Sequence, residues 1–254
     1  MTTWHHHTAL SASRQIVDKF DTNSSSYLDK LWFIRDAGFL SDIEPSQRSA
    51  LFKLGEMRSF NKDQSIFRAG APGDTVFLLL SGRVKIYQLS SVGKEVILWF
   101  SFPGEIFGLA EILKGRHRGV YAQACSEVQV LAIGHNAFKK FLQDNPSAAT
   151  SVIDLLSCRL RELSEILVDV SADDVSTRVI KLITRLSARY GKRCGNEINL
   201  DIPLTHQEMA DMIGTSRQTV TEVLGHLKRQ GVLRIENRTI FIQDQEWIGN
   251  IIGQ

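Results

Sequence analysis

The sequence predicts an α+β chain: an antiparallel barrel or roll of short strands, then one long helix, then a winged helix-turn-helix. Three observations predict it. Short β-branched and aromatic runs, punctuated by Gly, Pro, Asn, Asp and Ser, fill residues 65–134. An apolar seam spaced alternately by four and three residues runs through 149–170. The stretch "THQEMADMIGTSRQTVTEVLGHL", residues 205–227, holds two capped helices around a glycine.

Composition bounds the reading. At 254 residues the chain exceeds the usual single-domain size. An apolar content of 43% is enough for real cores. The net charge of +2 does not announce a nucleic-acid binder, so any basic footprint is local. Cys125, Cys158 and Cys194 are scattered and form no C-x-x-C pair, which supports neither a disulfide framework nor a cysteine-held metal. With no signal-peptide core and no long apolar run, the expectation is a soluble cytoplasmic protein with no membrane partner.

The elements follow in order. Residues 1–26 are polar, end in "DTNSSS" and are expected to be a flexible tail. His5, His6 and His7 lie there and are read as part of it rather than as metal ligands. Residues 27–145 form the strand-rich domain. It opens with an amphipathic helix near 45–54, runs through "SIFRAG", "TVFLLLSG", "RVKIYQLS", "EVILWFS", "GVYAQA" and "EVQVLAIG", and ends in a helix near 136–142.

Residues 146–171 are the long helix. Ala149, Ile153, Leu156, Leu160, Leu163, Leu167 and Val170 make the seam, and Ile153, Leu156, Leu160, Leu163, Leu167 and Val170 are the candidate dimer interface. Val152, Leu155 and Ile166 fall beside the seam, so another face is free to pack on the strands. "VSADD" then breaks the helix, and either Ser171 or Asp174 is suited to cap the next one, residues 175–189. That helix carries Arg178, Lys181, Arg185 and Arg189 and no acid, which reads as a basic surface.

Residues 172–254 are the winged-helix domain. Thr205 with Glu208, and Thr215 with Gln218, are read as two capping boxes. Gly214 stands at the joint, with Ala210 small at the crossing and Val220 and Val223 facing back into it. The second helix presents Ser216, Arg217, Gln218, Thr221 and Glu222 outward. Helix N-terminal N–H groups suit phosphate, an arginine forks onto guanine, and a glutamine pairs with adenine edges. "RIENRTIFIQD" reads as two strands of a wing, with Arg238 near the DNA backbone. The helix is therefore read as one for a DNA major groove. The competing reading, in which the winged helix serves protein assembly, is separated from it by salt-dependent binding to a palindromic duplex. Catalysis is not expected. Glu105 and Glu111 are a loose pair with no partner base, read as loop and strand-end charges, and no P-loop, metal-spaced His pair or nucleophile elbow occurs.

On "FRAGAPGDTVFLLLSGRVKIYQ", "PGEIFG" with "EIL" and "AQA", "DDVSTRVIKLI" and "LTHQEMADMIGTSRQTVTEVLGHLKRQGVL", the chain resembles the family of the cyclic-AMP receptor protein and the fumarate–nitrate regulator. The resemblance covers roughly residues 28–245. It implies a cyclic-nucleotide-binding-like β-roll sensor, a dimerisation helix and a winged helix. It also implies a homodimer that regulates transcription from a two-fold symmetric operator in double-stranded DNA, meeting RNA polymerase if it activates. By resemblance Gln207 and Thr215 join the DNA set, Gln207 as a phosphate contact, and Arg217 is the guanine reader. Gln218 replaces an acid and Glu222 an arginine, so the operator differs.

By the same resemblance Gly108, Leu109, Glu111, Arg118, Leu163 and Ser164 form the effector pocket. Cyclic-AMP binders carry Glu where Leu109 stands and Ser where Gly119 stands, and two hydroxyls where Leu163 and Ser164 stand. The effector is thus expected not to be cyclic AMP. Residues 1–60 lack cysteine, so an iron–sulfur cluster is not expected either. Haem, through His117 on "LKGRHRG", or another small-molecule effector stays open, as does no effector.

Overall fold

The computed structural model describes residues 38–111, 117–195, 197–200, 202–236 and 239–243. The tail with His5, His6 and His7 lies outside the described residues, as does Arg238.

Two short helices, α1 (Phe39–Asp42) and α2 (Pro45–Phe52), precede the strands. Then come β1 (Gly55–Phe60), β2 (Ser65–Phe67), β3 (Thr75–Ser81), β4 (Val84–Leu89), β5 (Glu95–Ser101), β6 (Ile106–Phe107), β7 (Tyr121–Ala124) and β8 (Val128–Gly134). They make two antiparallel sheets, ordered β1-β8-β3-β6 and β2-β7-β4-β5. Side chains alternate across a strand, and both faces of the inner strands are used. Phe77 and Leu79 of β3 join Val128, Val130 and Ala132 of β8 in the roll interior. Val76, Leu78, Leu131 and Ile133 point the other way, onto Phe39, Leu51 and Phe138 of the flanking helices. That double burial is why "TVFLLLSG" reads as an unbroken apolar run.

β1 and β6 are absent from the sequence reading. β1, "GEMRSF", is an edge strand with Glu56, Met57, Arg58 and Ser59 exposed, so it lacks an apolar face. β6 has only two residues and gives no period to read.

Helix α3 (His135–Asp144) closes the roll, and Pro146 starts α4 (Pro146–Ala172) at a position that needs no N–H. Ala148, Val152 and Leu155 of α4 are buried against the roll. Ile153, Leu156, Leu160, Leu167 and Val170 are exposed, with Leu160 at 68%. Leu163, on the same seam, is half-buried. One face of α4 is therefore spent on the roll, and the seam lies on the other.

Asp173 is extended, and Asp174 caps α5 (Val175–Tyr190) by accepting the Thr177 N–H at 2.8 Å. Of the two candidate caps it is Asp174, since Ser171 still lies in α4 and donates to the Leu167 carbonyl. Then follow β9 (Gly191–Cys194), β10 (Glu197–Leu200), α6 (His206–Ile213), α7 (Arg217–Arg229), β11 (Leu233–Glu236) and β12 (Thr239–Ile242). The strands form one sheet, β11-β12-β10-β9, beside the helix pair. The core of this domain is not closed on itself: Ile97 and Phe100 of β5 are part of it.

The basic surface expected on α5 is not there. Arg185 is buried and ion-paired to Asp169, Lys181 reaches Asp169 and Asp173 at 3.0 and 2.7 Å, and Arg189 pairs with Glu105. The helix has no acid because its acids come from other elements. Three of its cations neutralise buried carboxylates and do not form an open positive face.

Candidate nucleic-acid interface

Helix α6 begins with a complete capping box. Thr205 Oγ1 accepts the Glu208 N–H at 3.1 Å, and Glu208 Oε2 accepts the Thr205 N–H at 2.8 Å. It ends at Gly214, which is left-handed (φ 71°, ψ 40°), a conformation glycine takes without a Cβ penalty. The Thr215 N–H returns to the Ala210 carbonyl at 3.0 Å, and the chain enters α7.

The second cap differs from the expected box. Ser216, not Thr215, is extended and accepts the Thr219 N–H at 3.1 Å. One residue is consumed by the αL joint, which shifts the cap along by one. The side chain of Gln218 does not reach back as a box requires. It donates from Nε2 to Glu222 Oε1 at 3.1 Å instead.

α7 is split cleanly by face. Val220, Leu224 and Leu227 are buried, at the i, i+4, i+7 spacing of one helical stripe, and Val223 packs beside them. Across the crossing stand Met209, Ala210 and Ile213 of α6. Arg217, Gln218, Thr221 and Glu222 are exposed on the outer face, with Ser216 at its start and Thr215 half-exposed just before it. Among the described residues Arg217 has no ion pair, so its five donors are free. A carboxylate only accepts, so the amide nitrogen of Gln218 must be the end facing Glu222. That leaves the Gln218 carbonyl and one N–H outward, the pair an adenine edge requires. The Thr221 hydroxyl donates to the Arg217 carbonyl at 2.9 Å and lies 2.8 Å from His206 Nδ1. Gln207, exposed on α6, donates to Asp211 Oδ1 at 2.9 Å. Burial raises the Asp211 carboxyl above its ordinary value, and the Gln207 hydrogen bond opposes this.

The helix pair is held to the roll by contacts that sequence reasoning missed. Arg83, at the start of the β4–β5 hairpin, pairs with Glu208 at 2.8 Å, and Lys94, near its tip, donates to the Thr215 carbonyl at 3.0 Å. Below them Glu105 receives Arg159 of α4 at 2.7 Å and Arg189 of α5. Glu162 bonds the other side of Arg159 at 2.9 Å, and the Tyr190 ring packs tilted on Phe102 with centroids 4.1 Å apart. Burial first, and then the Glu105 charge, push the Tyr190 phenol well above its ordinary value. Glu105 is thus no solvated loop charge but a buried node between roll, long helix and winged helix. No local signal marks it, because its partners are 54 and 84 residues away.

The candidate effector residues divide. Gly108, Glu111 and Arg118 come together in the roll, with Leu109 buried beside them. Glu111, like Glu105, is buried and paired rather than a strand-end charge. Leu163 is half-buried and Ser164 exposed, and the Ser164 hydroxyl donates to the Leu160 carbonyl at 2.8 Å. Among the described residues no hydrogen bond or ion pair joins Leu163 or Ser164 to that cluster. His117 is exposed, its Nδ1 3.1 Å from the Gly70 carbonyl. No helix of the described residues is long and apolar enough to cross a membrane.

Comparison with known proteins gives the same two parts. Residues 57–145 match the cyclic nucleotide-binding domain family, and residues 177–248 the Crp-like helix-turn-helix domain family. A CRP-like cAMP-activated global transcriptional regulator of Mycobacterium tuberculosis H37Rv is 30% identical over 210 residues, 83% of this chain and 94% of that protein. A global nitrogen regulator of Nostoc is 27% identical over 188 residues, 73% of this chain and 84% of that protein. Among solved structures, a CooA variant from Carboxydothermus hydrogenoformans superposes with a TM-score of 0.74 at 24% identity, over 85% of this chain and 96% of that one. FixK2 from Bradyrhizobium japonicum gives 0.69 at 22%, over 78% and 96%.

Proposed function

The chain belongs to the family of the cyclic-AMP receptor protein and the fumarate–nitrate regulator, transcription regulators with a sensor domain and a DNA-binding helix-turn-helix, and on that premise we propose that it acts as a homodimer on a two-fold symmetric operator. The observation that carries this is the divided face of α7. Val220, Leu224 and Leu227 anchor it while Arg217, Gln218, Thr221 and Glu222 stand exposed to a groove. Arg217 forks onto a guanine, Gln218 onto an adenine, and the N-terminal amides behind Ser216, with Gln207, take phosphates.

The exposed stripe of α4 supports the dimer. Burying each Leu, Ile or Val against a second copy contributes about 1.5–3 kcal/mol, and the stripe from Ile153 to Val170 repeats for about five turns of a helix already anchored on its other side. Two such heads read major-groove half-sites about one helical turn apart, roughly 34 Å. The regulator works in the cytoplasm, and where it activates, RNA polymerase is the partner.

The effector is neither cyclic AMP nor an iron–sulfur cluster. A buried apolar Leu109 gives a ribose hydroxyl no acceptor, and Arg118 is already engaged. His117 turns to the Gly70 carbonyl at the surface, which favours a small molecule over haem. The test is fluorescence anisotropy on a labelled palindromic duplex across a salt series. Binding that weakens steeply with salt and is lost on scrambling one half-site is expected. Binding to neither duplex at low salt would turn the winged helix over to protein assembly.

A further inference from the structure

Inside the roll, Arg118 is 3% exposed and Glu111 5% exposed. The guanidinium lies over the Phe67 ring, 4.3 Å from its centroid, and 5.8 Å from that of Phe77. Its Nη1 donates to Glu111 Oε2 at 2.7 Å and to the Gly108 carbonyl at 3.0 Å, and Nη2 donates to the Thr75 carbonyl. The other carboxylate oxygen, Glu111 Oε1, is 3.4 Å from the Gly119 backbone nitrogen, which donates to it. Among the described residues, Arg118 Nε is buried with no hydrogen-bond partner.

A guanidinium and a backbone N–H converging on two oxygens, with aromatic faces behind the cation, is the arrangement that holds a free oxyanion. Here the oxygens belong to the chain. The backbone makes room for them. A Cβ on Gly73 would stand 2.6 Å from Glu111 Cβ and Cγ, so a side chain there would expel the carboxylate. Gly108, with φ +75°, takes a turn that brings its carbonyl onto Arg118, and a Cβ there would stand 2.9 Å from Nη1.

We propose that Glu111 is the resident anion of an oxyanion cup, so that the roll carries its own counter-charge and Arg118 takes no free oxyanion. A second anion at Arg118 would meet the Glu111 carboxylate as a like charge in a buried site. An oxyanionic molecule enters only when that carboxylate is gone. Truncating it leaves a buried guanidinium, a donating Gly119 N–H and a void the size of the lost carboxylate arm. That void is a site for acetate or inorganic phosphate. The inference does not depend on how the winged helix is used.

The experiment is thermal unfolding of the full chain and of Glu111→Ala in sodium chloride, acetate and phosphate at matched ionic strength, with cyclic AMP as a further arm. In chloride, Glu111→Ala melts roughly 6–12 °C lower, as a buried unpaired charge in a chain of this size requires. Acetate recovers part of that loss. Phosphate recovers it too if the void admits a tetrahedral ion, and acetate alone means a carboxylate-sized cup. Phosphate, and more weakly acetate, stabilises any folded chain by exclusion from its surface, so the parent is expected to show only that general shift, equal to the shift of the double variant below, and none with cyclic AMP. Glu111→Ala with Arg118→Met, which removes the cation, loses the anion response beyond that shift. A parent stabilised by cyclic AMP, or by phosphate beyond the shift of the double variant, overturns the proposal, because the cup would then be open. So does a Glu111→Ala protein indifferent to the anion. Should that variant not fold in chloride, refolding yield is the readout: a yield that rises with acetate or phosphate supports the cup, and equal yields in all sodium salts refute it.

Discussion

Glu105→Ala removes the carboxylate on which three parts of the molecule converge. Its Oε2 holds Arg159 of α4 at 2.7 Å, and its Oε1 holds Arg189 of α5, with the Tyr190 hydroxyl 3.4 Å away. Every charged side chain in the node is nine-tenths buried or close to it, so water replaces little of what is lost. Breaking a buried pair from one side costs about 3–5 kcal/mol, since the partner charge stays buried. Two cations are orphaned here, but Glu162 still holds Arg159 at 2.9 Å and lies 3.7 Å from Arg189. That residual pairing puts the expected loss near the low end, about 3 kcal/mol. The loss falls on the junction, not on either core, so the winged-helix domain should unfold apart from the roll. Urea unfolding followed by tryptophan fluorescence is the assay, because Trp99 lies under Arg159 with the guanidinium 5.4 Å from its ring. The parent is expected to unfold with roll and winged helix together, and the variant to show two separated transitions. Arg189→Met completes a double-mutant cycle, for which a coupling of about 1–3 kcal/mol is expected. A loss under about 1 kcal/mol, with the two substitutions additive, would refute the node, since buried interacting charges do not behave so.

Leu160→Lys places a charge in the middle of the exposed α4 stripe, opposite its own copy in a dimer, and light scattering should report monomers; an intact dimer would take the stripe out of the interface. Arg217→Ala should cost about 1–3 kcal/mol per half-site and flatten preference at one base pair. Equal losses on operator and random duplex would make it a phosphate clamp. Asp174→Ala should destabilise by about 1 kcal/mol through loss of the α5 cap, and Asp174→Asn should recover most of it in a melting assay. The Thr177 backbone hydrogen bond lowers the Asp174 carboxyl below its ordinary value, so its contribution is present above the unfolded-state carboxylate pKa. It fades as pH falls through the lower folded value. A parent-minus-Ala stability difference that does not shrink in acid would contradict this.

What the residues determined unaided was local in the chain. A strand announces itself by period two, a helix by its apolar spacing, a cap by the residue at one position and the one three later. These signals lie within a few residues of what they specify, and so β3, β8, α4 and the α6–Gly214–α7 joint are legible before folding. The outward set Arg217, Gln218, Thr221 and Glu222 follows from that joint, because fixing Val220 and Leu224 inside fixes what is outside. The failures share one cause. The second cap moved from Thr215 to Ser216 because the αL joint consumed a residue, a one-position shift that spacing alone does not resolve. The cations of α5 looked like a DNA-facing surface, but their acids stand 16 and 84 residues away. Glu105 looked like a surface charge because its partners are remote in sequence, and Glu111 because the cations that follow it do not say which of them turns inward, a choice that falls on Arg118, seven residues on. A charge is buried or exposed according to what packs against it, and a buried charge survives only where packing delivers its partner. Only the tertiary structure decided that, by bringing α4, α5 and the roll together at Glu105, and Arg118 back onto Glu111.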